Sequence, residues 1–344
     1  MGPDMPAEWP ISALASSERS KRPSSALPAD GDRPIAAIVQ DLFLAPGARL
    51  TEQERSLMSA MLHGLIERIA IELRARLTPE VAANCAAGSA ELIADLSRAG
   101  LIQDETLVKL LLRRADIQRL AAAGKGGRTT LQRWTADADA DVAAAAMTLV
   151  AARGRGRDRF GRVALDLSDL PAPLAYGLTV AVSASLGLRC DVPSDSEVVE
   201  AMAELFASRA EVRPLEQLEA DLVQALSPDL RRAPGLLVAL AEEGDASLLS
   251  TFLAIEAGIP ADESWSLLLG GAEQFAVLLR LANVARTEAA ALLAAAGPVL
   301  GIADPVRAID VYDQLTADQV EEARTELALP APYRTARRII GRHG

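Results

Sequence analysis

One short pattern, repeated, constrains what this chain can fold into. Ala257-Gly258-Ile259 is followed by Glu263 and a leucine run, and Ala282-Asn283-Val284 by Glu288 and Leu292-Leu293. A third copy stands far upstream, where Ala99-Gly100-Leu101 precedes Glu105 and Leu110-Leu111-Leu112. In every copy the Glu falls six residues after the Ala. Each copy reads as a helix end, a tight turn and the start of the next helix. A chain punctuated in this way is assembled from helical hairpins.

Composition supports that reading. The chain is 50% hydrophobic, but aromatics make up only 3% and much of the apolar share is Ala. Ala is the best helix former, whereas strands favour β-branched and aromatic residues. The expected fold class is all-α: an N-terminal helical bundle with a long amphipathic helix, followed by irregular HEAT-like helical hairpins. The copies at Ala257 and Ala282 are 25 residues apart. That is shorter than the usual two-helix repeat, so the array is expected to be irregular.

The clearest single helix opens at Thr51, which pairs with Glu54 in a capping-box pattern. Leu57, Met58, Met61, Leu62, Leu65, Ile66, Ile69, Leu73 and Leu77 follow at steps of three and four. They form one apolar stripe. The helix would span roughly 40 Å at about 1.5 Å per residue. A stripe of this kind needs cover, from another helix or from a second subunit, and a homodimer through Thr51 to Leu77 is expected. A second helix over 79–99 is expected to run back along the first.

Three segments are expected: a disordered tail over 1–33, rich in Pro, Ser and charge, a helical domain over 34–165 and a helical-hairpin domain over 166–344. Order is expected to begin near Pro34, with Ile35, Ile38, Val39, Leu42 and Phe43 at helical spacing. The uncharged run from Leu170 to Leu188 is long enough to be weighed as a membrane span. Its Pro171, Pro173, Gly177 and hydroxyl side chains favour a buried central helix instead. Ser194 and Glu197 form a further capping box, as do Thr316 and Gln319.

The net charge is −12. A compact nucleic-acid binder usually carries the opposite balance, so nucleic acid is disfavoured as a partner. Yet residues 109–162 hold twelve Lys/Arg against five Asp/Glu. A solvated face accounts for most such segments, and the alternative is a nucleic-acid-associated transcriptional regulator. The two cysteines, Cys85 and Cys190, are expected to be buried free thiols in a reducing cytoplasm. The N-terminal residues show no basic stretch followed by an apolar run, which agrees with a cytoplasmic location.

Candidate sites are few. Arg153, Arg155, Arg157, Arg159 and Arg162 alternate with Gly154, Gly156 and Gly161. Guanidinium groups at that density suit a carboxylate or phosphate, so the cluster is the candidate anion- or partner-binding site; a solvated loop is the plain alternative. His63 lies off the apolar stripe, where a phosphoacceptor would sit. Gly64 stands where such sites usually carry an acid, which favours an ordinary surface His. Gly124-Lys125-Gly126-Gly127 lacks the spacing of a phosphate-binding loop. Asp137, Asp139 and Asp141 lack the Gly and Glu that complete a calcium loop. The repeated Glu105, Glu263 and Glu288 fit first helical turns, favoured by the helix dipole. With histidines only at 63 and 343, no catalytic constellation can be drawn. No enzyme activity, cofactor or metal is expected.

Several blocks together resemble one family. They are Thr51–Leu77, the helix end Leu110-Leu111-Leu112-Arg113-Arg114, Leu170-Pro171 opening an uncharged helix, and Leu279–Leu293. Tyr312-Asp313-Gln314-Leu315 leading to Tyr333-Arg334-Thr335-Ala336 adds to them. The chain resembles, over roughly 34–344, an alphaproteobacterial domain-of-unknown-function family of all-helical, HEAT-like proteins. The resemblance implies an all-α fold in a cytoplasmic bacterial protein and supplies no catalytic residues. The expected function is a non-enzymatic protein-interaction or regulatory scaffold, with a protein partner of unknown identity. Beside the nucleic-acid reading stands a phosphorelay component acting through His63.

Overall fold

The computed structural model describes residues 50–341 except 86, 126, 159, 191–194, 210–211 and 303. The expected tail, the short helix from Ile35 to Phe43 and the cap residue Ser194 lie outside the described residues. What is described is all-α. The helices are α1 (Glu52–Arg74), α2 (Pro79–Asn84), α3 (Ser89–Arg98), α4 (Glu105–Ala123), α5 (Thr130–Trp134) and α6 (Ala140–Arg155). After a short 3-10 turn (Leu167–Asp169) come α7 (Ala172–Gly187), α8 (Asp195–Arg209), α9 (Leu215–Ala225), α10 (Pro228–Arg231), α11 (Leu236–Glu242) and α12 (Ala246–Ala257). The chain continues through α13 (Ala261–Leu269), α14 (Ala272–Leu281), α15 (Arg286–Ala296), α16 (Pro305–Gln314), α17 (Ala317–Ala328) and α18 (Ala331–Gly341).

Helix α1 starts at the expected capping box. The Thr51 amide donates to the Glu54 carboxylate at 2.8 Å, and the Glu54 amide donates to the Thr51 hydroxyl at 3.2 Å. Its apolar stripe is covered by α3, α4, α7 and α8 of the same chain. Each fully buried Leu or Ile of the stripe stabilises this arrangement by roughly 1.5–3 kcal/mol. The helix expected over 79–99 is two helices, broken between Asn84 and Ser89. Arg74 explains the break: its guanidinium donates to the carbonyls of Cys85, at 2.9 Å, and of Ala87, which therefore do not serve a continuing helix.

The cysteines are not free. Cys85, in the loop between α2 and α3, is disulfide-bonded to Cys190 just beyond α7, with the two Cα atoms 4.3 Å apart. With a sequence separation of 105, nothing local marks the pairing. The fold brings it about by laying α3 against α7.

The repeated pattern is a helix stop of one geometry. Gly100, Gly258 and Asn283 have φ of 72°, 67° and 53°, the left-handed region. The following residues, Leu101, Ile259 and Val284, donate their amides to Leu96, Ala254 and Leu279 five residues back, at 2.9–3.0 Å. This is the bond pattern that closes a helix and turns the chain out of it. Asn283 is the one described non-Gly residue at positive φ, as suits a side chain that tolerates this conformation.

Two apolar cores result, and they do not divide the chain at a single point. One core takes α1–α3, the first half of α4 as far as Ala115, and then α7 and α8. The other takes Leu120 at the end of α4, α5, α6, α9 and the helices from α11 to α16. Helix α4 therefore runs from one core into the other, and the chain crosses between them again on either side of α7–α8. The expected boundary at 165 coincides with one of these crossings. Helix α7, the uncharged run, is buried through Leu174, Ala175, Leu178, Val182 and Leu186. No helix among the described residues is long and apolar enough to cross a membrane.

Candidate functional site: an arginine-lined cleft between the two cores

The described residues of the arginine-rich stretch form a helix end followed by a largely exposed turn. Helix α6 continues to Arg155. Beyond it the Asp158 carboxylate accepts the amides of Phe160 and Arg162, both at 2.8 Å, and Arg157 donates to the Gly161 carbonyl at 2.7 Å. A single antiparallel bridge joins Arg157 to Val163. These contacts hold one wall of a cleft of about 400 Å³. The 3-10 turn at Asp166–Asp169, the end of α8, the start of α9 and the α11–α12 turn form the others, with Arg114, Ile117 and Ala121 of α4 also in the lining.

The five arginines singled out in the sequence have different fates. Arg153 is structural. Its guanidinium bridges Asp245, at 2.6 and 2.9 Å, and Glu219, at 2.8 Å. Burial works against the Arg153 charge, but Asp245 and Glu219 outweigh it and raise its pKa above the ordinary value. Glu219 is fully buried and also accepts the Ser247 hydroxyl at 2.6 Å. Arg155 and Arg157 are exposed and line the cleft. Arg162 faces elsewhere, its guanidinium 5.2 Å from the Phe160 ring centre. Arg159 lies outside the described residues.

Sequence reasoning missed three further arginines of the lining. Arg114 pairs with Asp169 at 3.1 Å, and both side chains are buried. Arg213 pairs with Asp221 at 2.7 Å. Arg209 donates to the carbonyls of Leu167, at 2.9 Å, and Leu170. Burial lowers its pKa, against the opposing influence of Asp166 and Asp169. A signal for the buried network was present: Glu219 interrupts the apolar stripe Leu215, Leu218, Leu222 and Val223 of α9. A lone charge in such a stripe calls for a buried partner.

Charge in the cleft is matched unevenly. Asp166 is held by Arg68 at 2.7 Å, Asp169 by Arg114, Glu243 by Arg133 at 3.2 Å, and Glu219 and Asp245 by Arg153. Glu72, at the rim, lies 3.9 Å from Arg76. Burial tends to raise the Asp166 pKa, but the Ser168 amide and hydroxyl and Arg68 together lower it. Every carboxylate of the described lining thus has a guanidinium partner. Arg155, Arg157 and Arg209 have no carboxylate partner among the described residues.

The same accounting reduces the wider basic segment. Seven of its twelve cations, Lys109, Arg113, Arg114, Arg119, Lys125, Arg133 and Arg153, form ion pairs within the chain. The Gly124 loop docks instead of cradling an anion: the Lys125 amide donates to the Glu242 carbonyl at 2.6 Å, and its ammonium lies 2.8 Å from the Glu242 carboxylate. Asp139 caps α6, accepting the amides of Asp141 and Val142. The repeated glutamates do not meet one another. Glu105 pairs with Lys109 at 2.7 Å, and Glu263 with Arg334. Burial raises the Glu288 pKa, partly offset by the Gly235 amide. His63 is half-buried on α1, with no hydrogen bond or ion pair recorded for it among the described residues. No group of three or more metal-ligating side chains occurs among the described residues.

Comparison with family models, curated proteins and solved structures found no match.

Proposed function

We propose that the chain is a non-enzymatic, all-helical interaction or regulatory scaffold whose recognition site is the arginine-lined cleft. The observation that carries this is the charge mismatch. The acids of the lining are matched, while Arg155 and Arg157 stand exposed on one wall without a carboxylate partner. Exposed guanidinium groups in that setting suit a carboxylate or phosphate brought by a protein partner. HEAT-like stacking of the hairpins, on the strength of the repeated turn, and membership of the alphaproteobacterial family, on the strength of the blocks from Thr51–Leu77 to Tyr333-Arg334-Thr335-Ala336, belong to the same proposal.

A cytoplasmic location is also part of the proposal, and the disulfide bears on it, because disulfides persist mainly in oxidising compartments. Alkylating the protein in intact cells before lysis decides the point: free thiols support the cytoplasm, and a protected pair contradicts it. Homodimerisation through Thr51 to Leu77 has lost its motive, since α3, α4, α7 and α8 cover the stripe. The nucleic-acid alternative draws on a segment whose cations are mostly paired, and it predicts binding that falls steeply with salt. A phosphorelay through His63 predicts a labile phosphoryl label that His63→Ala abolishes.

The test of the leading reading is partner retention. The native protein and the double variant Arg155→Gln/Arg157→Gln are immobilised and exposed to extract of the native cell. A protein retained by the first and lost by the second is the expected result. Equal retention by both overturns the cleft as the recognition site.

A further inference from the structure

The cleft has a second character besides charge. Part of its lining is aliphatic: Ile117 of α4, Leu205 of α8, the exposed Val212 ahead of α9, and Leu215 of α9 face the same space as Arg155 and Arg157. No aromatic side chain belongs to the described lining, so a planar base or ring has nothing to stack on. At about 400 Å³ the cleft falls in the range of small-molecule sites, which are concave, mostly apolar and oriented by a few polar groups.

Charge sets the head group. Taking every lining residue with its ion-pair partner, the Arg153–Glu219–Asp245 triad carries one net negative charge. The pairs Arg114–Asp169, Arg68–Asp166, Arg133–Glu243, Arg76–Glu72 and Arg213–Asp221 cancel. Arg155, Arg157 and Arg209 remain, for a surplus of two positive charges among the described residues. Arg209 serves two carbonyls and is part-buried, while Arg157 spends one nitrogen on the Gly161 carbonyl; Arg155 and Arg157 are the two exposed guanidinium groups that can meet an anion.

We propose that the cleft binds a small anionic amphiphile, a phosphate monoester or carboxylate on a short aliphatic body, with the head on Arg155 and Arg157 and the chain against Leu205, Val212 and Leu215. This deepens the recognition reading above and rests on it: the small molecule is the effector that occupies the site. Because the lining comes from both cores, occupancy ties them together, and binding is linked to the stability of the whole chain.

The test is calorimetric titration of the full chain with hexyl phosphate, hexanoate, hexanol and inorganic phosphate. Saturable one-to-one binding of hexyl phosphate or hexanoate is expected, and which of the two binds tighter identifies the head group. Hexanol and inorganic phosphate should bind at least tenfold more weakly. Arg155→Gln/Arg157→Gln should weaken the amphiphile about tenfold or more, each charged hydrogen bond being a factor of about ten. Both side chains are exposed, but the variant removes the Arg157 bond to the Gly161 carbonyl, so Arg155→Gln alone, which leaves that bond in place, should also weaken the amphiphile. Val212→Trp, which fills the aliphatic end, should block hexyl phosphate and leave the arginines in place. No binding of either amphiphile at millimolar concentration overturns the proposal, as does undiminished binding by the double variant. If the amphiphiles fail but partner retention still depends on Arg155 and Arg157, the effector falls and the recognition site stands. If retention is also unaffected, both fall.

Discussion

Gly124 and Gly244 meet backbone to backbone where the end of α4 docks on the α11–α12 turn. A Cβ placed on Gly124 would lie 2.2 Å from the Glu243 carbonyl oxygen and 2.7 Å from the Gly244 nitrogen. One placed on Gly244, which also has a φ of 73°, would lie 2.6 Å from the Leu120 carbonyl oxygen. Beside this contact the Glu243 carboxylate accepts the Thr130 amide and hydroxyl, both at 2.8 Å. The junction closes one end of the cleft, so its geometry sets where Glu243 and Asp245 stand.

Gly124→Ala is therefore expected to destabilise the chain by about 1–3 kcal/mol, the usual cost of forcing atoms into packed structure. Backbone atoms, not a movable side chain, are in the way. Gly64→Ala is the control: Gly64 is exposed in mid-helix on α1 with nothing within 4 Å of the added Cβ. It should gain up to about 1 kcal/mol from helix propensity. Urea denaturation of both variants checks the contrast, and a Gly124→Ala midpoint at or above the native one contradicts the close contact.

Removing Arg153 strands two carboxylates, whereas removing Glu219 leaves Arg153 with Asp245. Arg153→Met is expected to cost about 3–5 kcal/mol, as when one side of a buried ion pair is deleted. Glu219→Leu should cost less, because the charge it leaves is still paired and the new side chain continues the apolar stripe of α9. Chemical denaturation of the two single variants ranks them. A Glu219→Leu loss equal to or larger than that of Arg153→Met would show that the triad is not held together in this way.

The Cys85–Cys190 disulfide closes a loop of 105 residues. Chain-entropy reasoning puts its contribution in the range of about 2–5 kcal/mol. Cys85→Ser/Cys190→Ser should unfold at correspondingly lower denaturant. Hydrogen exchange should rise first between α2 and α3, where the Arg74 contacts to Cys85 and Ala87 would be the remaining ties. An unchanged midpoint, or full reactivity of both thiols in the purified native protein, would contradict the bond.

Asp95 on α3 accepts from Arg189 at 2.8 Å and from the Ser185 hydroxyl at 2.7 Å. The Arg189 hydrogen bond, with that of Ser185, holds its carboxyl at about 2, below the ordinary 3.8. A carboxyl depressed on folding stabilises fully above its ordinary value and loses that contribution as pH falls towards the folded value. The difference in melting temperature between the native chain and Asp95→Asn should be widest near neutral pH and should close between 3.8 and about 2. A difference that stays constant through that interval would contradict the pairing.

What was legible in the sequence was local. The left-handed turns at Gly100, Gly258 and Asn283 follow from a Gly or Asn at one place in a helical pattern. The capping boxes of Thr51 and Thr316 need only a neighbour three residues on. The buried, uncharged α7 shows in its composition. What was not legible depends on distant chain segments. No spacing rule pairs Cys85 with Cys190, or tells that α3, α4, α7 and α8 would cover the stripe of α1. The arginine cluster shows the difference within a few residues. Arg153 and Arg157 look alike in sequence, but Asp245 and Glu219 occupy the first, while the second opens on the cleft.

Arg155 and Arg157 are expected to hold an anionic head at the mouth of this cleft. A crystal structure of the protein grown with hexyl phosphate decides the matter. Phosphate density should lie within hydrogen-bond distance of both guanidinium groups, with the alkyl chain running towards Leu205 and Val212. An empty cleft, or phosphate bound only at other sites, would contradict it.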